Sequence, residues 1–159
     1  MTDTEANLQQ ASIANILRHI PHRYPFVFID RMEHCDAGKT VRLTKLLTCD
    51  EWFMRGHSAD FKVMPSMLVV EALAQSAGAL SHYSGLMSQV ESPIMFFAGI
   101  EECRFGADAR PGDKLLLECT LIRSLRNVVK VSGRATVDGK MVVELKLTAV
   151  IQDRARLKP

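Results

Sequence analysis

Charge of one sign is the first thing this sequence is short of. Its 20 Lys and Arg stand against 18 Asp and Glu, a formal net charge of +2 over 159 residues. No basic stripe with interleaved aromatics runs along it, which argues against nucleic acid as a partner and leaves room only for a local basic patch toward an acidic protein. Long hydrophobic runs are missing too. None approaches bilayer-spanning length, so no membrane role is expected. Cysteine is sparse and scattered: Cys35, Cys49, Cys103 and Cys119 form no CxxC pair, and no histidine stands at metal-ligand spacing from them. The expectation is separate reduced thiols in or near the core, with neither disulfide nor structural metal. Residues 1–7 are polar and acidic, unlike a secretory signal, and the expected compartment is the cytoplasm. No linker, repeat or low-complexity tract divides the chain, so residues 1–159 read as one domain.

What is present is an ordinary globular balance, 47% apolar and 24% charged, carried by two kinds of pattern. Early in the chain, 12–18 predicts a short amphipathic helix with Ile13, Ile16 and Leu17 on one face. Pro21-His22-Arg23-Tyr24-Pro25 ends it in an extended or turned segment. Two strands are expected next, over 26–29 and 41–47, the second alternating at Val41, Leu43, Lys45 and Leu47. From about 67 to 83 the residues are apolar or small on every side, with Met64-Pro65-Ser66 placing a proline and a capping residue just before them. A helix of that kind is a buried one.

The second half supplies a wrapper: long strands over 94–105, 114–122, 128–137 and 141–151, the last two alternating cleanly. Asp138-Gly139 predicts a type I′ hairpin turn and Arg110-Pro111-Gly112-Asp113 a second tight turn. The fold class expected is α+β, a long antiparallel sheet wrapped around one central helix.

Within that helix Glu71 is the sole acid. A carboxylate among apolar neighbours is costly unless it is paired or held protonated. A capping box with Ser66 does not explain it, because the acid would have to stand at position 69, which is Val69. Gln75, one turn on, shares its face and can donate to it. Upstream, His57 follows Gly56 and is flanked by Phe53, Met54 and Phe61. An imidazole there is the natural general base near neutral pH. His19, His22, His34 and His82 lack such a context and read as structural or exposed. His57 and Glu71 are therefore the candidate base and acid, and burial is expected to raise the pKa of Glu71.

Five stretches make the chain similar to a known family: Ile20-Pro21-His22-Arg23-Tyr24-Pro25-Phe26 with Asp30-Arg31; Gly56-His57; Val63-Met64-Pro65; Val70-Glu71-Ala72-Leu73-Ala74-Gln75; and Phe97-Ala98-Gly99-Ile100 leading to Arg104-Phe105 and Pro111-Gly112-Asp113. In order and spacing they resemble the 3-hydroxyacyl-[acyl-carrier-protein] dehydratases of the hot-dog fold, the FabZ-like family. The resemblance implies that a 3-hydroxyacyl thioester on the phosphopantetheine arm of acyl carrier protein loses water. His57 would take the α-proton and Glu71 serve the departing hydroxyl. Ser66 and Met67 would lend backbone N–H groups to the oxyanion, while Gln75, Phe97 and Gly99 bind substrate. It implies no cofactor or metal. The assembly implied is a homodimer, as such or as a trimer of dimers, with one site built from two subunits and the acyl chain in a tunnel between their helices.

Departures from the family pattern lie around His57. Phe-Pro is replaced by Ser58-Ala59, a proline by Lys62, a glycine by Ser66, and a pair of arginines after Phe105 by Gly106-Ala107. Two alternatives stay open on sequence alone. One is a hot-dog acyl thioesterase in which Glu71 activates water. The other is a non-catalytic acyl-binding subunit pairing with an active homologue.

Overall fold

A computed structural model describes residues 10–156. Among them the chain forms a seven-stranded antiparallel sheet with one long helix lying on it, the expected α+β arrangement. The elements run β1 (Ala11–Ser12), α1 (Ile13–Ile16), β2 (Arg31–Asp36), β3 (Thr40–Leu46), α2 (Ser66–Tyr83), β4 (Pro93–Phe105), β5 (Lys114–Leu125), β6 (Val128–Val137) and β7 (Lys140–Asp153). Across the sheet the order is β1-β2-β3-β5-β6-β7-β4, which puts β4 at an edge.

The register explains why the helix has one place to lie. Leu43 stands opposite Leu117, Leu117 opposite Ala135 and Ala135 opposite Val143. In the next row Cys119 faces Gly133, and Gly133 faces Leu145. Apolar side chains on alternate residues of four strands thus share one face, and all of them are buried. Gly133 lets α2 come close: a Cβ there would sit 3.4 Å from Leu73 Cδ2 and 3.2 Å from Leu145 Cδ1. The Cys119 thiol, 3.5 Å from the Leu73 carbonyl oxygen, marks the same close approach.

Both expected turns are present. Asp138 and Gly139 have φ of +48° and +77°, the pair of positive values a type I′ turn needs. The Asp113 N–H bonds to the Arg110 carbonyl at 3.0 Å around Gly112, whose φ is +96°. No helix among the described residues is long and apolar enough to cross a membrane.

Several expectations need correction. Residues 26–29 form no strand, and Phe26 closes a turn onto the Arg23 carbonyl. The carbonyl of Phe26 and the N–H of Phe28 bond instead to the side chain of Gln75, each at 3.0 Å. The strand that does form there, β2, carries a register shift between Met32 and His34. Its buried residues, Met32 and Cys35, are therefore three apart rather than two, which hides the period. The early helix is a single turn, Ile13–Ile16. Ser66 does not cap α2: the N-cap is Pro65, and no side chain bonds the first turn. Nor is α2 buried all round, since a stripe through Met67, Glu71, Gly78 and His82 escapes the sheet. Of the thiols only Cys35 and Cys119 are buried, pushed up to about 11 and about 12 by burial first and a neighbouring carboxylate second. Cys49 and Cys103 are exposed rather than packed in the core.

Candidate active site

Glu71 lies on the stripe of α2 that the sheet leaves open, its side chain 29% exposed. Two donors converge on one of its oxygens. Gln75 Nε2 donates to Oε1 at 2.9 Å from one helical turn away, and His22 Nε2 lies 3.2 Å from the same atom. Oε2 has no partner among the described residues.

Gln75 is fixed in turn. It is 1% exposed, its own oxygen takes the Phe28 N–H, and its second amide hydrogen goes to the Phe26 carbonyl. Every hydrogen-bonding capacity that sets its orientation is used. One side chain therefore ties the segment after Pro25 to the helix and at the same time aims Glu71. Burial pushes the Glu71 carboxyl up, but hydrogen bonds from His22 and Gln75 and the charge of His22 outweigh it, so the group lies below its ordinary value. That reverses the expected direction: at neutral pH the site holds a carboxylate.

His22 is the neighbour of Glu71 that sequence reasoning missed. It reads as structural in isolation because nothing in Pro21-His22-Arg23 says which helix it meets. The available signal is that it follows a proline within a stretch that carries the family resemblance. Its Nδ1 is buried without a partner among the described residues.

His57 lies in the loop before α2. Gly56 before it has φ of +86° with open space around its Cβ position, so glycine is required by backbone conformation rather than by crowding. The Val63 N–H reaches His57 Nδ1 at 3.5 Å, the outer edge of a hydrogen bond, and so holds the ring's tautomer weakly. The loop is held by the segment that follows β4. Met64 N–H bonds to the Ala109 carbonyl at 2.8 Å, and the Arg110 guanidinium sits 5.3 Å over the Phe61 ring. No hydrogen bond or ion pair joins His57 to Glu71 within the chain.

Ser66 and Met67 begin α2, and both are exposed. Leu68 and Val69 N–H groups close on the Pro65 carbonyl, leaving those of Ser66 and Met67 without a backbone partner among the described residues, as helix starts do. Ser66 is not among the residues with positive φ, so serine is unstrained there. Phe97 and Gly99 stand on edge strand β4, on either side of a register shift. Phe97 and Gln75 line a cavity of about 390 Å³ between α2, the segment carrying His22, and β4. Gly99 does not line it. The structure thus brings Glu71, Gln75 and His22 together and sets Phe97 beside them.

Residues 20–146 match the FabA-like domain. The chain belongs to the FabA-like family. Curated relatives include the 3-hydroxyacyl-[acyl-carrier-protein] dehydratase FabZ of Thiobacillus denitrificans, 39% identical over 89% of this chain and 98% of that one. FabZ of Dechloromonas aromatica is 42% identical over 89% and 98%, and FabZ of Bacillus subtilis 43% over 81% and 89%. Among solved structures, the dehydratase heterocomplex ApeI:P from Xenorhabdus doucetiae superposes with a TM-score of 0.74 at 16% identity, covering 88% of this chain and 92% of that one. A hot-dog-like protein from Thermanaerovibrio acidaminovorans gives 0.59 at 20% identity, over 76% and 86%. This FabA-like chain therefore has the hot-dog fold.

Proposed function

We propose that this protein removes water from a 3-hydroxyacyl thioester carried on acyl carrier protein, giving the trans-2-enoyl thioester. The observation that carries the reading is Glu71, held by one oxygen between Gln75 and His22 with the other oxygen uncommitted, in a FabA-like chain. His57 takes the proton next to the thioester carbonyl, which acidifies that proton without help from a cofactor. Negative charge developing on the carbonyl oxygen is met by the Ser66 and Met67 N–H groups at the positive end of α2. Glu71 serves the departing hydroxyl. Because its carboxyl is held below the ordinary range, a proton has to be delivered to it before it can act as an acid.

The lack of a hydrogen bond or ion pair between His57 and Glu71 within one chain favours a site completed by a second copy. Edge strand β4, with Phe96, Phe97, Ile100 and Phe105 all more than 40% exposed, has the unpaired outer edge and apolar surface for a homodimer contact. The exposed thiols Cys49 and Cys103 suit a reducing, cytoplasmic setting.

The test is a dehydration assay on carrier-bound 3-hydroxyacyl chains of several lengths. Wild type should yield enoyl product, and His57→Ala and Glu71→Gln should each lose about 10²–10⁴ in rate. Released free acid would assign a thioesterase instead. Acyl carrier bound without turnover would assign a non-catalytic subunit.

A further inference from the structure

Of the two groups that hold Glu71, only one can part with a proton. Gln75 is an amide with both hydrogens committed, one to the Phe26 carbonyl and one to Glu71 itself. His22 is an imidazole, the side chain that exchanges protons most readily near neutral pH. Its Nε2 addresses Glu71 Oε1 at 3.2 Å. Its Nδ1 is buried and unpartnered among the described residues. A histidine kept only for structure has both nitrogens satisfied, since an unmet buried polar atom costs about 1–3 kcal/mol. A ring that faces the Glu71 carboxylate with Nε2 carries its proton there, and in the imidazolium form it can give that proton up on the Glu71 side.

We propose that His22 is a positioning residue that aims Glu71 through Nε2 and hands it the proton that Glu71 passes to the leaving hydroxyl. This rests on the dehydration reaction proposed for Glu71. The step balances. The C2–H bond breaks, its proton rests on His57 and its electron pair forms the C2–C3 double bond. The C3–O bond breaks, and its pair leaves with the oxygen, which takes the Glu71 proton and departs as water. His22 passes from imidazolium to neutral imidazole as its Nε2 proton moves to the Glu71 carboxyl. Afterwards His57 releases a proton to solvent, and His22 regains one through the cavity that it lines. The other charged or titratable groups around that cavity are Arg18, His19, Arg23, His82 and Arg154. Arg23 donates from its guanidinium to the Ile20 and His22 carbonyl oxygens.

The test compares wild type with His22→Gln and His22→Phe in the dehydration assay across pH, alongside an NMR titration of the His22 ring nitrogens and the Glu71 carboxyl carbon. His22→Gln keeps an N–H for Glu71 but has no proton to give. Its kcat should fall at least about 100-fold, with KM within about threefold of wild type. The shape of its kcat–pH profile should differ from that of wild type, because no imidazole remains to supply the proton. In wild type the ring and the carboxyl should titrate as one coupled pair. His22→Gln within about threefold of wild-type kcat, or an unchanged profile shape, would overturn the proposal. So would independent titration of the two groups, which decides the matter even where a variant fails to fold. A wild type that does not dehydrate would instead sink the proposed function, and the titration would still judge the proton exchange.

Discussion

Replacing Gln75 by leucine keeps its size and removes three hydrogen bonds at once, to Phe28 N–H, Phe26 O and Glu71 Oε1. The three losses are unequal. Phe28 is 1% exposed, so its N–H is left in a place water does not reach; an orphaned buried donor costs about 1–3 kcal/mol. Phe26 is 45% exposed and Glu71 lies on the open stripe, so water replaces much of what they lose, about 1 kcal/mol between them. The sum is about 2–4 kcal/mol of stability. A chain of this size shifts by about 2–4 °C per kcal/mol, so the melting temperature should drop by roughly 4–16 °C. Urea denaturation and thermal melts at one fixed protein concentration measure it, because association would otherwise move the midpoint. Gln75→Glu keeps an acceptor for Phe28 and loses only the donors. It should be less damaging to stability than Gln75→Leu, yet should still disable the site by setting a second carboxylate beside Glu71. Gln75→Leu within about 0.5 kcal/mol of wild type, the ordinary scatter of surface substitutions, would refute the view that this amide locks the segment after Pro25 to the helix.

Acid should weaken the fold through Glu71. Its folded-state value is depressed, so its contribution is fully present above the ordinary glutamate value of 4.5 and is lost as pH falls from there through the lower folded value. Urea midpoints from pH 6 to pH 3 should fall more steeply for wild type than for Glu71→Gln, and parallel curves would show that the carboxyl is not depressed. Gly106 should refuse a side chain: a Cβ there runs into the Met141 carbonyl oxygen, while the Gly106 N–H bonds to Val142 O at 2.8 Å and fixes the backbone. Gly106→Ala should cost about 1–3 kcal/mol in chemical denaturation; a neutral result would mean that the end of β4 yields freely.

The strands and turns of the second half were legible because their signals are local. Alternation along β6 and β7, and the positive φ demanded at Asp138 and Gly139, depend on nothing beyond the next few residues. The central helix and the oddity of an acid within it were legible for the same reason, and so was Gln75 as a donor one turn away. Residues 26–29 carry a strand's composition, but their partner is a side chain on α2, and no periodicity reveals a partner 47 positions away. In β2 a register shift erased the period. The charge state of Glu71 was misread because an apolar sequence context predicts burial, whereas the open stripe of α2 and the approach of His22 leave the carboxyl half-solvated and hydrogen-bonded. Local sequence determined which elements form and which residue types bear chemistry, since propensity and period act over a few residues. Only the tertiary structure decided which imidazole meets Glu71, because that meeting depends on where the chain before β2 crosses the helix.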